Sequence, residues 1–131
     1  MTLVEKSTVT IRKRILLVDD EIAILKLLEF ILKKDYDLVI KDNGFDALTW
    51  LDSGNIPDLI ISDMEMPYFN GADLVRSLKV SGYFRDVPVI VLSGSDSLEN
   101  IKTRIPYPIN ELMSKPFNPG ILKDKIKIIL N

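Results

Sequence analysis

The chain has 131 residues, 47% hydrophobic and 27% charged, the composition of one globular domain long enough to bury a core. Its 17 basic and 19 acidic residues leave a net charge of −2 with the signs interspersed, which excludes the electrostatic footprint of a chain that binds nucleic acid directly. Cysteine and histidine are both absent, so there is no disulfide framework, no zinc-thiolate site and no imidazole base. Chemistry falls to carboxylates, lysine, hydroxyls and backbone.

Residues 1–12 lack the apolar run of a signal peptide and read as a short polar extension before a domain spanning 13–131. No apolar run approaches membrane-spanning length, so the expected compartment is the cytoplasm, with no membrane partner. The first strand is RILLV at 14–18, a continuous apolar run of the kind covered on both faces. It leads directly into Asp19, Asp20 and Glu21. A helix follows, with Ile24, Leu27, Leu28 and Ile31 at i, i+3, i+4, i+7. The second strand is DLVI at 37–40, turning through KDNG into a helix with Gly44, Ala47, Leu48 and Leu51 on one side and Trp50 as a packing residue. DLIIS at 58–62 is the third strand, and Leu74, Val75 and Leu78 mark the third helix. PVIVL at 88–92 is the fourth strand. The helix after it, SLENIKTRI, is weakly patterned and is stopped by the prolines at 106 and 108. ELMS at 111–114 is the last strand. Asn118 as N-cap and Pro119 at the first helical position open the last helix, whose stripe is Leu122, Ile126, Ile129 and Leu130.

Five strand–helix pairs imply an α/β fold, a doubly wound five-stranded parallel sheet between two helical layers, with the flavodoxin-like order 2-1-3-4-5. Ligands of such sheets sit beyond the carboxyl ends of the strands. The residues at those ends are Asp19 and Asp20, Asp63, Ser93 and Lys115. With the first and third strands adjacent, about 4.8 Å apart, Asp20 and Asp63 enter one small volume with Asp19 beside them. Two explanations compete for the surplus acids. Helix capping and the helix dipole favour an acid here, though one is enough. Alternatively, three close carboxylates require a compensating cation, for which Mg²⁺ with its preference for oxygen is suited. Lys115 offers a point charge for a phosphoryl group and Ser93 a hydroxyl donor. Taken singly, each also fits a bland role, as a solvated lysine before a helix and a turn-forming hydroxyl. Their joint placement favours a phosphate site.

LLVDDE, DLIISDMEMPYFNG, VPVIVLSG and MSKPF, in that order, resemble the signature segments of response-regulator receiver domains, the chemotaxis-regulator fold, over residues 13–131. The resemblance implies a phosphoacceptor switch of a two-component phosphorelay, not a turnover enzyme: it catalyses only its own phosphorylation and dephosphorylation. Asp63 would take a phosphoryl group from the phosphohistidine of a sensor kinase or phosphotransfer protein. Asp20 and Asp63 would hold Mg²⁺ directly, Asp19 largely through water, and Glu65 through its main-chain carbonyl. Lys115 would contact the phosphoryl oxygens and Ser93 would swing toward them. A cis Lys115–Pro116 bond would turn the lysine back toward the acids. The fourth helix, fifth strand and fifth helix would report the change, with Ile101, Leu112 and Ile121 offered to a partner or a weakly associating second copy.

The sequence departs from its relatives at Leu112, where Tyr or Phe is usual, with Tyr107 as a candidate replacement ring. By the same resemblance, the Glu65 side chain would flank the path of hydrolytic water. Three competing readings are an aspartate-nucleophile hydrolase of the haloacid-dehalogenase type, a flavin or nucleotide module, and a pseudo-receiver that works without phosphate. The first would need DxDG after the first strand, where DDEIAI stands. The second would need a Gly- or Thr-rich phosphate loop there. A pseudo-receiver would normally have lost part of the acid set.

Overall fold

The computed structural model describes residues 11–94 and 98–131. Its strands are β1 (Arg14–Val18), β2 (Asp37–Lys41), β3 (Leu59–Asp63), β4 (Val89–Ser93) and β5 (Glu111–Ser114). Its helices are α1 (Ile22–Leu32), α2 (Gly44–Asp52), α3 (Gly71–Lys79), α4 (Leu98–Arg104) and α5 (Pro119–Leu130). The strands pair in parallel in the order β2-β1-β3-β4-β5, as expected for this architecture. The extension expected over residues 1–12 falls outside the described residues as far as residue 10. Arg12 donates to the carbonyls of Lys33 and Tyr36 at the end of α1.

Successive strand residues face opposite sides of a sheet, and the core divides accordingly. Ile15, Leu17, Leu59, Ile61, Ile90 and Leu92 pack with Leu25, Leu28 and Leu32 of α1 and with Leu122 and Ile126 of α5. Leu16, Val18, Ile60, Val89 and Val91 pack on the other side with α2, α3 and α4. Helices thus cover both faces of the three central strands, which is why those strands read as unbroken apolar runs. No helix among the described residues is long and apolar enough to cross a membrane.

Three details depart from the sequence reading. β3 and β4 each lie one residue later than expected, so Asp63 and Ser93 are the last residues of their strands. Met64 N–H donating to Leu92 C=O at 2.8 Å carries the ladder past Asp63, while Pro88 has no N–H to begin β4 with. The buried stripe of α1 is Leu25, Leu28 and Leu32, with Leu27 exposed. That helix, IAILKLLEFIL, is apolar at nearly every position, so its spacing admits several stripes and packing on the sheet and α5 selects one. Finally, Ile101 is buried in the α2–α4 layer at 1% exposure, so it offers nothing to a partner. Its place on a short helix requires it in the core.

Helix starts fix where the site loops lie. Asn43 caps α2, and Asn70 with Asp73 forms a reciprocal capping box on α3. Asn118 caps α5, with Pro119 as its first residue. A Cβ at Gly71 would stand 2.6 Å from the Asp63 carbonyl oxygen and 2.9 Å from Met64 Cα. Glycine therefore lets the start of α3 press directly on the end of β3.

Candidate functional site

The sheet register builds the site. β1 and β3 pair Val18 with Ser62, so the next residues, Asp19 and Asp63, stand side by side. Both are buried, at 1% and 2% exposure, while Asp20 is exposed. One carboxylate oxygen from each of Asp19, Asp20 and Asp63 lies within 4.8 Å of the others. The expected gathering of three acids is therefore present, but Asp19, not Asp20, is the buried neighbour of Asp63. On the other side, β4 pairs Ser93 with Ser114, and Lys115 N–H donates to Ser93 C=O at 2.8 Å. The Lys115–Pro116 bond is cis.

Lys115 closes the group. Its Nζ donates to Glu21 Oε1 at 2.8 Å and lies 3.0 Å from Asp19 Oδ2 and 3.1 Å from Asp63 Oδ1. Glu21, which the sequence reading did not place in the site, is thus a partner of the lysine. Glu21 occupies the N-cap position of α1 but its side chain makes no cap bond. Its N–H instead donates to Asp19 Oδ1 at 2.9 Å. Capping therefore does not account for these acids, whereas pairing with a cation does.

Burial, and then the charge of Asp19, push the Asp63 carboxyl up to about 6, although Lys115 and the Glu65 N–H pull the other way. Burial also raises Asp19, against the Glu21 N–H and Lys115. Burial alone would lower Lys115, but its hydrogen bond to Glu21 and its ion pairs with Asp19 and Asp63 outweigh that and raise it, so it stays a fixed cation. Among the described residues, Asp19 Oδ2, Asp63 Oδ1 and Ser93 Oγ are buried without a hydrogen-bond partner. The first two touch Lys115 at ion-pair distance, but not along a hydrogen-bonding direction. An unsatisfied buried polar group costs about 1–3 kcal/mol, so these three atoms hold capacity for further ligands. Hard oxygen donors with free lone pairs, in negative excess over one ammonium, fit a divalent cation such as Mg²⁺.

The site opens through a cavity of 200 Å³ lined by Glu21, Asp63, Glu65, Gly94 and Lys115. The Glu65 carboxylate accepts from Arg104 Nη1 at 3.1 Å, tying the loop after β3 to the end of α4. No local sequence signal pairs residues 39 positions apart, so Arg104 was not foreseen. Leu112 is half-buried and packs with Tyr107 and Ile109 against the α2–α4 layer. With Ile101, Ile105 and Tyr107 it lines a separate cavity of 390 Å³ between α4 and β5.

Comparison with known proteins agrees with this geometry. A family model described as response regulator receiver domain matches residues 15–127. Chemotaxis protein CheY1 of Helicobacter pylori is 28% identical over 119 residues, covering 89% of this chain and 96% of that protein. Histidine kinase P4 of Formosa agariphila is 35% identical over 126 residues, 96% of this chain but 9% of the kinase. The solved receiver domain of a signal transduction histidine kinase from Syntrophus aciditrophicus superposes with a TM-score of 0.81 at 32% identity, covering 90% of this chain and 89% of that one. With buried aspartates and a lysine at the carboxyl ends of a 2-1-3-4-5 parallel sheet, the chain belongs to the response regulator receiver domain family.

Proposed function

We propose that Asp63 is the phosphoacceptor of this receiver domain and that a phosphohistidine on a sensor kinase or phosphotransfer protein is the donor. Domains of this family are signalling switches of two-component and chemotaxis systems, and the proposal assigns that work to particular side chains here. The observation that carries it is the meeting of buried Asp63 with Asp19 and Lys115 at one opening, beside the buried Ser93 hydroxyl. An Asp63 carboxylate oxygen attacks phosphorus, and the P–N bond to the donor imidazole breaks with its electron pair left on nitrogen. An acyl phosphate forms. Such a transfer needs positioning and charge stabilisation more than protein acid–base groups, so a chain without histidine can perform it. Lys115 balances the incoming oxyanions, and the Ser93 hydroxyl, which has no hydrogen-bond partner among the described residues, donates to a phosphoryl oxygen. Asp19, Asp20 and Asp63, with the main-chain carbonyl of Glu65, would hold Mg²⁺, which supplies neutralising charge for an anion approaching this acidic opening.

On this reading Ser93 transmits the change toward α4, β5 and α5. Leu112, half-buried beside the α4–β5 cavity, and Ile121, 50% exposed on α5, are the apolar groups there for a partner or a weakly associating second copy. The cytoplasm is the compartment in which such a kinase presents its phosphohistidine. The test is direct: with Mg²⁺ and acetyl phosphate the protein gains the mass of one phosphoryl group, and Asp63→Asn gains none. Equal labelling of the variant would place the acceptor elsewhere.

A further inference from the structure

β2 is an outer strand of the sheet, and among the described residues it pairs with β1 alone. Asp37 N–H donates to Lys13 C=O, and Lys41 C=O accepts from Asp19 N–H, so the peptide groups of 37, 39 and 41 turn toward β1. Those of Leu38 and Ile40 turn outward and leave their N–H and C=O groups on an open edge. Proteins commonly blunt such edges with proline, a bulge or lysines. DLVIK pairs with β1 residue for residue, has no proline, and carries an acid at its start and a base at its end. Its apolar residues are half-buried, Leu38 and Ile40 on the α1 side and Val39 on the α2 side. Trp50 of α2, also half-buried, lines with Leu38 and Val39 a groove of 610 Å³ along this strand. Asp37 has only a loose ion pair, 3.6 Å from Arg12, and Lys41 has none among the described residues.

We propose that a second copy of this chain joins at β2, antiparallel, so that one sheet runs through both copies. The edge and the charges together select the register. An antiparallel partner has to set outward-turned residues against outward-turned residues. Leu38 of one copy then lies opposite Ile40 of the other, Val39 opposite Val39 on the two-fold axis, and Asp37 opposite Lys41 at both ends. The outward N–H and C=O groups of both copies are satisfied, and the same patch serves both sides, as a two-fold contact requires. The neighbouring allowed registers set Val39 against Asp37 or against Lys41 and lose both charge pairs. The incoming strand fills the groove beside Trp50. Because the axis reverses the strands, the Asp63 openings fall at opposite ends of the joined sheet, and α4, β5 and α5 of each copy stay free. The contact thus neither blocks nor requires phosphorylation of Asp63. A short strand makes a small interface, so association is expected at about 10–100 µM.

Sedimentation equilibrium of the full chain from about 5 to 500 µM measures the association, and emission of Trp50, the single tryptophan, follows it independently. Asp37→Lys sets Lys against Lys at both ends and Lys41→Asp sets Asp against Asp, so each should weaken the dimer about tenfold or more. Mixed in equal amounts, the two variants should associate within about threefold of wild type, because every end again meets its opposite charge. Restoration by mixing also shows that both variants are folded. The double variant Asp37→Lys/Lys41→Asp should likewise dimerise on its own. A wild type still monomeric at about 500 µM would overturn the proposal, as would single variants that dimerise unchanged or a mixture and a double variant that do not recover. A dimer lost instead in Ile121→Asp would overturn it in favour of a contact on α5. A monomer whose Leu38 and Ile40 amides resist hydrogen exchange would overturn it in favour of another segment of the same chain on this edge.

Discussion

Asp63→Asn removes a charge that folding holds in an unfavourable place, and the structure gives the size of the effect. Burial and Asp19 raise the Asp63 carboxyl from 3.8 to about 6, after the attraction of Lys115 has been counted. At about 1.4 kcal/mol per unit, keeping Asp63 ionised in the folded, metal-free protein costs about 3 kcal/mol. A raised carboxyl stabilises the fold fully only below its unfolded value, and that contribution is lost as pH rises through the folded value. Metal-free Asp63→Asn should therefore be more stable than wild type by about 3 kcal/mol at pH 7.5, roughly 10 °C in Tm for a domain of this size, and nearly equal at pH 4. The amide leaves Lys115 with Glu21 and Asp19, so no cation is stranded. Urea titrations in EDTA at both pH values measure the gap, and an unchanged m value shows that the same unfolding is being compared. Added Mg²⁺ should then narrow it, because binding stabilises wild type more than the variant. A variant less stable at pH 7.5, or a gap of equal size at both pH values, would refute the electrostatic account.

Asp20→Ala removes an exposed ligand atom from the acid group, so Mg²⁺ affinity should fall about tenfold, roughly 1.4 kcal/mol, with metal-free stability unchanged or raised. Superimposable calorimetric Mg²⁺ titrations of variant and wild type would contradict the cluster's role. Gly71→Ala forces a methyl group into the backbone of Asp63 and Met64 and should lose about 2–3 kcal/mol in denaturant titration. By contrast, a Cβ at Gly94 meets only Lys115 carbons at 3.9 and 4.0 Å, so Gly94→Ala should stay within about 0.5 kcal/mol of wild type.

Much of this was legible in the sequence because two strong signals coincide. The central strands are apolar throughout, which reveals burial on both faces, and their ends carry the polar residues, which reveals the ligand edge. That was enough to bring Asp19, Asp20, Asp63, Ser93 and Lys115 into one list. It was not enough to rank them. Which of two adjacent aspartates turns inward depends on the pleat and register of β1 against β3, and a shift of one residue reverses the answer. Glu21 reaches Lys115 across 94 positions, and Arg104 reaches Glu65 across 39; neither spacing has a periodicity to detect. The positive φ of Tyr68 was hidden for a related reason. Nothing in PYFNG marks the tyrosine, and not a more permissive neighbour, as the residue with positive φ.

The ion pairs of Lys115 have a consequence for how the protein is made. Asp19, Glu21 and Asp63 are supplied by β1, the α1 start and β3, whereas the ammonium between them arrives with β5, the last strand of the sheet. A chain emerging from the ribosome has all its acids in hand long before the lysine that reconciles them. Until β5 docks on β4, the half-formed sheet carries an uncompensated knot of negative charge at the edge where a phosphodonor would bind. A chain cut before β5 therefore keeps the acids of β1 and β3 but loses the one cation the structure sets among them.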